Sequence, residues 1–185
     1  MEHHIEDEPS LRLDRSGTAH AALVLLAFGP ATGYELARRA ERTLRFFFAA
    51  PAMSQIYSEL QRLAAAGLVT RTDTGYELSP AGRDALARWV AEGDLTPTVF
   101  KSHLALRMMV GHLADPARLA ADIAEERARM ADELAGVLEV RDSLPPEHPE
   151  LGWAWMVANW GTRYYSDMVA QLDQLTALLE RRTAP

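Results

Sequence analysis

The beginning of the chain alternates apolar stretches at helical spacing with short polar breaks. The pattern predicts a first helix with Ser16 as its candidate cap, ended by Gly29-Pro30. A second helix is predicted to open at Thr32, because a threonine followed three residues later by Glu35 is the pattern of a capping box. Two short helices therefore open the chain.

A third helix and a hairpin follow. Apolar residues at helical spacing predict the helix over residues 54–66, and Gly67 is placed to end it. Two short β-prone runs, residues 68–71 and 76–78, flank a segment of turn-forming residues over 72–75. This arrangement predicts a small two-stranded hairpin.

Three cap-plus-proline pairs predict the helices of the second half. The pairs are Ser79-Pro80, Thr96-Pro97 and Asp115-Pro116. With a break at residues 143–146, they predict helices over residues 80–91, 98–113, 116–141 and 150–181.

This order of elements predicts a mainly α fold. It consists of a winged helix-turn-helix domain with a small two-stranded β wing, followed by a C-terminal α-helical dimerisation domain. We place a disordered lead-in at residues 1–14, the winged domain at 15–93 and the helical arm at 94–185.

Composition argues against an enzyme. The chain has no cysteine, and its six histidines form no metal-binding spacing. No phosphate-binding loop, dinucleotide fingerprint or nucleophile elbow is present. We therefore expect no catalytic residues, no metal and no cofactor. The longest apolar run, residues 19–28, is too short to span a bilayer and lacks a basic leader, so we expect a cytoplasmic protein without a membrane partner.

Charge is unevenly distributed along the chain. The net charge of −7 at pH 7 argues against DNA binding. Between Arg15 and Thr72, however, seven arginines outnumber three glutamates, so this stretch carries +4 and the remainder −11. Because fields act over a Debye length of about 8–10 Å, a locally basic module is compatible with phosphate binding.

The polar residues of the winged domain suit DNA contacts. Free amides at a helix start bind phosphate, glutamine matches adenine, and arginine matches guanine or phosphate. Each residue taken alone is equally consistent with an ordinary solvated surface. The predicted DNA-binding residues are Thr32, Gly33 and Tyr34 on the second helix, Ser54, Gln55, Tyr57, Ser58, Gln61 and Arg62 on the third, and Arg71 and Thr72 in the wing.

Three motifs within residues 18–89 resemble those of PadR-family transcriptional regulators. They are residues 22–36 with Gly29-Pro30 and Thr32-Gly33-Tyr34-Glu35-Leu36, residues 55–63 followed by Gly67-Leu68-Val69, and residues 76–83. One departure is Ser58, where the family often has proline after the tyrosine. The resemblance implies a repressor-like dimer that binds double-stranded DNA at a palindromic operator and is released by an aromatic small molecule. The C-terminal arm is similar to the longer-armed members only in layout.

The last helix carries a coiled-coil-like stripe. Its residues, spaced by three and four, are Tyr165, Met168, Leu172, Leu175 and Leu179. A two-fold operator requires a two-fold protein, so we favour a homodimer in which at least one helix crosses to a partner chain. An intramolecular helix pair is the alternative.

Aromatic residues crowd the start of the same helix. The candidate effector-binding residues are Trp153, Trp155, Trp160 and Tyr164, together with Phe47 from the winged domain. Aromatic rings stack on flat apolar ligands, but the pattern favours the alternative that they fill the core of a dimer. Two other functions stay open: a winged-helix module for protein interaction, and a small-molecule-binding protein without operator binding.

Overall fold

The computed structural model describes residues 17–48, 50–95 and 97–183. They form two compact units, one ending at Leu95 and the other beginning at residue 97. The lead-in predicted over residues 1–14, and the caps predicted at Ser16 and Thr96, lie outside the described residues.

The first unit is a three-helix core with a hairpin and a fourth helix. Its elements are α1 (Thr18–Ala27), α2 (Gly33–Arg42), α3 (Met53–Ala65), β1 (Val69–Thr72), β2 (Gly75–Leu78) and α4 (Pro80–Glu92). The two strands are antiparallel and form the wing. The predicted winged helix-turn-helix class is confirmed.

The apolar stripes of the first three helices meet in one core. Leu23 of α1, Leu36 of α2, and Leu60 and Leu63 of α3 are fully buried there. Removing a leucine side chain from water stabilises the fold by roughly 1.5–3 kcal/mol. Because the buried side of α3 is fixed in this way, its opposite side is held toward solvent.

The start of α1 is set by Gly17. The helix begins at Thr18, and Gly17 is its N-cap with a left-handed φ of 70°. The Phe48 ring occupies the position into which a Cβ on residue 17 would project. Glycine alone satisfies both the backbone conformation and this close approach.

The caps predicted for the other helices of this unit are present. The Thr32 hydroxyl accepts a hydrogen bond from the Glu35 amide at 3.2 Å, and the Glu35 carboxylate accepts one from the Thr32 amide at 2.8 Å. The hydrogen bond from the Thr32 backbone is the main cause of a lowered Glu35 pKa. Gly67 ends α3 with a φ of 72°, which satisfies the last carbonyls of the helix.

The second unit is built on two long antiparallel helices. They are α6 (Pro116–Ser143) and α7 (Leu151–Thr183), preceded by the shorter α5 (His103–Met109). Ile123 and Val137 of α6 are fully buried. The Asp115 cap is confirmed, since its carboxylate accepts a hydrogen bond from the Ala117 amide at 3.0 Å.

The helix predicted over residues 98–113 is wrong in extent. The structure has α5 over His103–Met109 and a separate 3-10 turn over Gly111–Leu113. The Ser102 hydroxyl caps α5 by accepting a hydrogen bond from the Ala105 amide at 3.2 Å. The preceding Thr98-Val99-Phe100 run consists of residues with low helix propensity, which explains the later start.

The stripe predicted as the dimer seam lies inside the chain. Leu172 and Leu179 are buried against Leu119 and Ile123 of α6, with Leu175 packed beside them. Tyr165 is also buried, and Met168 is half-buried. The stripe therefore forms the intramolecular helix pair that was left open as the alternative, because α6 supplies the matching apolar face.

Candidate nucleic-acid interface

One face of α3 is polar and exposed along its whole length. Ile56, Leu60 and Leu63 anchor the opposite face in the core. The exposed face presents Ser54, Gln55, Ser58, Gln61 and Arg62. These are hydrogen-bonding side chains of the kinds that recognise base edges in the major groove.

The first turn of α2 holds two backbone amides that point away from the helix. The Glu35 amide donates to the Thr32 hydroxyl, and the Leu36 amide donates to the Thr32 carbonyl at 2.9 Å. Within the first turn of α2, the amides of Gly33 and Tyr34 are thus the two that lack an acceptor among the described residues. Tyr34 is 52% exposed beside them, so the end of the helix offers donors suited to a phosphate.

Tyr57 connects this helix end to α3. A Cβ on Gly33 would lie 2.6 Å from Cε1 of the Tyr57 ring, so the ring rests directly on the Gly33 backbone. Tyr57 itself is 42% exposed. The first turn of α2 and the polar face of α3 are consequently adjacent, and the Tyr57 ring lies between them.

The wing is attached to the same region. Ala31 pairs with Tyr76 of β2, with hydrogen bonds of 3.0 and 2.9 Å between their backbones. A Cβ on Gly75 would lie 2.5 Å from the Ala31 carbonyl oxygen, so glycine is required for this approach. Arg71 stands opposite Tyr76 in the register of the hairpin. β2 therefore lies between Arg71 and the segment that leads into α2.

Two arginines of the first unit make contacts within the protein. Arg39 donates to the carbonyls of Gly29 at 3.0 Å and Pro30 at 3.2 Å, and thereby supports the end of α1. The Arg45 guanidinium lies 4.4 Å from the centre of the Phe46 ring. Neither group is free for phosphate binding, although both add to the positive charge counted from the sequence.

Arg38 and Arg42 were not among the predicted DNA-binding residues. Both are exposed, and neither side chain bonds to another described residue. They follow Tyr34 by four and eight positions, which puts all three on one face of α2. That spacing is the signal in the sequence that could have identified them.

Two predicted base-reading residues make contacts within α3. The Gln55 side-chain oxygen accepts a hydrogen bond from the Ala52 amide at 2.9 Å and so caps the helix. Arg62 forms an ion pair with Glu59, with Nη2 and Oε1 2.6 Å apart. The Gln55 amide group can still donate, but Arg62 must exchange its partner before it contacts a base. Glu59 is a member of this surface that sequence reasoning missed.

A cavity of about 290 Å³ opens on this face. It is lined by Ser54, Gln55, Ser58 and Glu59 of α3 together with Thr18 at the start of α1. Four of these five lining residues thus belong to α3, the helix that presents the polar surface. The cavity is a depression in the candidate interface and holds no additional chemistry.

Three of the predicted effector-binding aromatics share one face of α7. Trp153, Trp160 and Tyr164 are exposed on one face of α7, where Met156 and Val157 are exposed beside them. These five residues are named the α7 stripe. Trp155 is half-buried on another face of the helix, and Phe47 belongs to the other unit.

The described ranges contain neither a cluster of metal-binding side chains nor a membrane-spanning helix. No group of three or more histidine, aspartate or glutamate side chains there is arranged to hold a metal ion. No helix of the described part of the chain is long and apolar enough to cross a membrane.

Fold and surface together define a winged helix-turn-helix protein with an α-helical C-terminal unit. The predicted resemblance to PadR-family transcriptional regulators holds for the fold. Residues 100–180 match the family model described as virulence activator alpha C-term. A PadR-like transcriptional regulator of Bacillus cereus has a similar structure, with a TM-score of 0.76 at 20% identity over 89% of this chain and 99% of that one.

Two further structures have the same fold. The virulence activator AphA of Vibrio cholerae matches with a TM-score of 0.72 at 20% identity, over 90% of this chain and 99% of that one. Bacillus subtilis PadR in complex with operator DNA matches with a TM-score of 0.71 at 20% identity, over 87% and 98%. At these identities the likeness concerns the fold.

The chain also has a relative among known sequences. A probable transcriptional regulator of Mycobacterium tuberculosis is 39% identical over 88 residues, which is 43% of this chain and 46% of that protein. The match thus spans about half the length of the relative.

Proposed function

We propose that this chain is a sequence-specific DNA-binding transcriptional regulator and not an enzyme. The observation that carries the proposal is the continuous surface made by the polar face of α3, the first turn of α2 and the wing. Its residue types and their adjacency suit a duplex, in which base edges lie beside phosphates.

In this proposal α3 enters the major groove. Gln61 and Ser58 contact base edges, and Arg62 does so after it leaves Glu59. The amides of Gly33 and Tyr34, with Arg38 and Arg42, bind the phosphates of one strand. Arg71 and Thr72 reach the backbone on the other side of the groove. Bacillus subtilis PadR, which has this fold, has been crystallised with operator DNA.

We propose that the protein acts as a homodimer on a palindromic operator. The α7 stripe supports a second copy as its partner, since it exposes two tryptophans and a tyrosine, with Trp153 69% and Trp160 66% accessible. Contiguous apolar surfaces of this kind mark interaction sites. In this proposal the α7 stripe forms the dimer interface. The apolar residues from Tyr165 to Leu179, which the sequence suggested for that role, are already covered by α6.

Two finer points extend the proposal. The resemblance to PadR-family regulators supports a repressor that an aromatic small molecule releases. Bacillus subtilis PadR has been crystallised with p-coumaric acid, which is an aromatic small molecule.

Fluorescence anisotropy tests the proposal. The full chain is titrated onto labelled duplex from upstream of its own coding region, with a scrambled duplex as control, across a salt series. We expect a preference of about 10³-fold or more for the native duplex. Equal, weak and salt-dependent binding to both duplexes would point to a different operator. Absence of salt-dependent binding would instead favour the protein-interaction or small-molecule-binding functions.

A further inference from the structure

One member of the α3 surface carries a charge that opposes DNA. Glu59 is an acid on the helix proposed to enter the major groove, and its side chain is 13% exposed. It lines the cavity of about 290 Å³ together with Ser54, Gln55 and Ser58, which belong to the polar face of α3. The carboxylate therefore borders the surface that a duplex would cover.

Arg62 is the cation that neutralises Glu59 in the protein without DNA. Its Nε donates to Oε1 of Glu59 at 3.1 Å, and its Nη2 lies 2.6 Å from the same oxygen. None of the described residues that line the cavity carries a positive charge. Once Arg62 turns toward a base, the carboxylate has no second cation in the cavity. A charge that is covered without a partner costs more than a single lost hydrogen bond.

The four bases differ in what they offer to a carboxylate. A carboxylate only accepts hydrogen bonds. In the major groove thymine O4 and guanine O6 are acceptors as well, whereas the amino groups of cytosine and adenine are donors. Adenine places its N7 acceptor beside the amino group, but cytosine itself presents no acceptor in this groove. Cytosine is therefore the base that matches Glu59 best.

The spacing of Glu59 and Arg62 places this cytosine relative to the base that Arg62 contacts. Three residues of α-helix rise about 4.5 Å, and successive nucleotides of one strand are about 3.4 Å apart. Two side chains that are three residues apart on α3 therefore address neighbouring base pairs. The base that an arginine matches in the major groove is guanine.

We propose that Glu59 is a specificity-determining residue, which selects a cytosine next to the guanine that Arg62 contacts. The assignment rests on the proposed function, since it requires α3 in the major groove. Sequences without this cytosine leave the carboxylate opposite an acceptor or without a partner, so Glu59 weakens binding to them. The residue thus acts mainly by rejecting wrong sequences.

Selection from a pool of randomised duplexes tests the assignment. Wild type, Glu59→Gln and Glu59→Ala are each incubated with the pool, and the bound duplexes are sequenced. Wild type should enrich cytosine at one position, and Glu59→Gln should enrich adenine there, because glutamine matches the adenine edge. Glu59→Ala should lose the preference at that position and keep the preference for the neighbouring guanine.

Glu92→Gln is the matched control. It removes the same charge from the first unit, at the end of α4 and outside the cavity. This variant should select the same sequences as wild type. Far-ultraviolet circular dichroism checks that all three variants are folded.

Anisotropy on single duplexes gives the magnitude. Replacing the selected cytosine by thymine should weaken binding of wild type about tenfold or more, and binding of Glu59→Ala by less than about threefold. Tighter binding of Glu59→Ala to every duplex by one factor, with the base preference of wild type, would overturn the assignment, because Glu59 would then act only as a general negative charge.

Two other results would also decide against it. Loss of the guanine preference in Glu59→Ala would show that Glu59 only orients Arg62. A wild-type protein that enriches no sequence would contradict the proposed function, and this assignment with it. Enrichment by wild type that is unchanged in both Glu59 variants would leave the proposed function intact and overturn the assignment alone.

Discussion

At the scale of single residues, contacts decide which arginines of the first unit can bind DNA. Arg39 and Arg45 are committed to the carbonyls at the end of α1 and to the Phe46 ring. Arg38, Arg42 and Arg71 project to solvent without such contacts. All of these arginines therefore contribute to the positive electrostatic field of the unit, but only some of them are available for contacts with phosphate.

Gly33→Ala tests the contact between α2 and α3. Alanine is favoured over glycine within a helix by roughly 0.5–1 kcal/mol, but its Cβ would lie 2.6 Å from the Tyr57 ring. Overpacking costs roughly 1–3 kcal/mol of folding free energy, so we expect the ring to be displaced. Displacement of the ring distorts the surface between α2 and α3, and DNA affinity should therefore fall by about tenfold. Anisotropy measures the affinity, and the double variant with Tyr57→Ala should show non-additivity. Additive effects would mean that the two residues act separately.

Base and phosphate contacts should respond differently to substitution. Replacing Gln61 and Arg62 by alanine should remove the preference for the native duplex while non-specific binding remains. Arg38→Gln should instead weaken binding to every duplex and reduce the salt slope by about one. Anisotropy across a salt series measures both. If sequence preference survives in the double variant, α3 is not the element that reads bases.

At the scale of elements, the capping box and the α7 stripe determine what the helices present. The Thr32–Glu35 pair consumes two donors at the start of α2 and leaves those of Gly33 and Tyr34. On α7 one side is buried against α6, while the stripe remains open. Each helix thus has one stabilising face or end and one that is available to a partner.

Thr32→Ala should destabilise the first unit. The substitution removes the hydroxyl that accepts from the Glu35 amide, and loss of such a cap costs about 1 kcal/mol. For a unit of this size we expect a fall in Tm of roughly 4–8 °C. Thermal unfolding followed by circular dichroism gives the value. Thr32→Ser, which keeps the hydroxyl, should lie close to wild type, and an equal loss in both variants would assign the effect to something other than the cap.

Trp160→Glu should yield monomers. It places a charge in the middle of the α7 stripe, where desolvation of an unpaired carboxylate opposes association. Sedimentation equilibrium measures the oligomeric state. Gln171→Glu is the control, because Gln171 lies three turns further along the same face of α7, where the residues are polar. A dimer that persists in Trp160→Glu would exclude the stripe as the interface.

At the scale of the whole molecule, the two units should respond to acid at different pH. His20 and Trp89 of the first unit stack with their ring centres 4.5 Å apart, and burial lowers the His20 pKa from 6.5. In the second unit, hydrogen bonds from arginine lower the pKa values of Asp122 and Asp173 from 3.8. A depressed pKa adds stability that is lost as pH falls below the value of the unfolded chain.

The first unit should therefore lose stability when pH falls from 7 to 5, whereas the second should do so only below about pH 4. Hydrogen exchange resolved by segment at pH 7 and pH 5 measures the two separately. His20→Phe keeps a ring against Trp89 without a titrating group, and it should remove the loss in the first unit. An unchanged decline in that variant would show that other groups cause it.

The sequence by itself determined the order of elements, the wing and most helix ends. Thr32, Gly67, Ser79 and Asp115 act on neighbours within a few residues, so their caps can be predicted from local pattern. The start of α5 was missed because three weak helix formers precede Ser102, and a cap-plus-proline pattern outweighed them in the prediction.

Only the tertiary structure determined which residues that are distant in sequence are in contact. It packed the Tyr165–Leu179 stripe against α6 and brought the Tyr57 ring onto the Gly33 backbone. It also joined Arg107 to Asp122, fifteen positions away in the chain, in a cavity that no motif marks. The sequence shows which residues are charged, and its periodicity shows which face of a helix is apolar. Which residues contact that face depends on packing between segments that are distant in sequence.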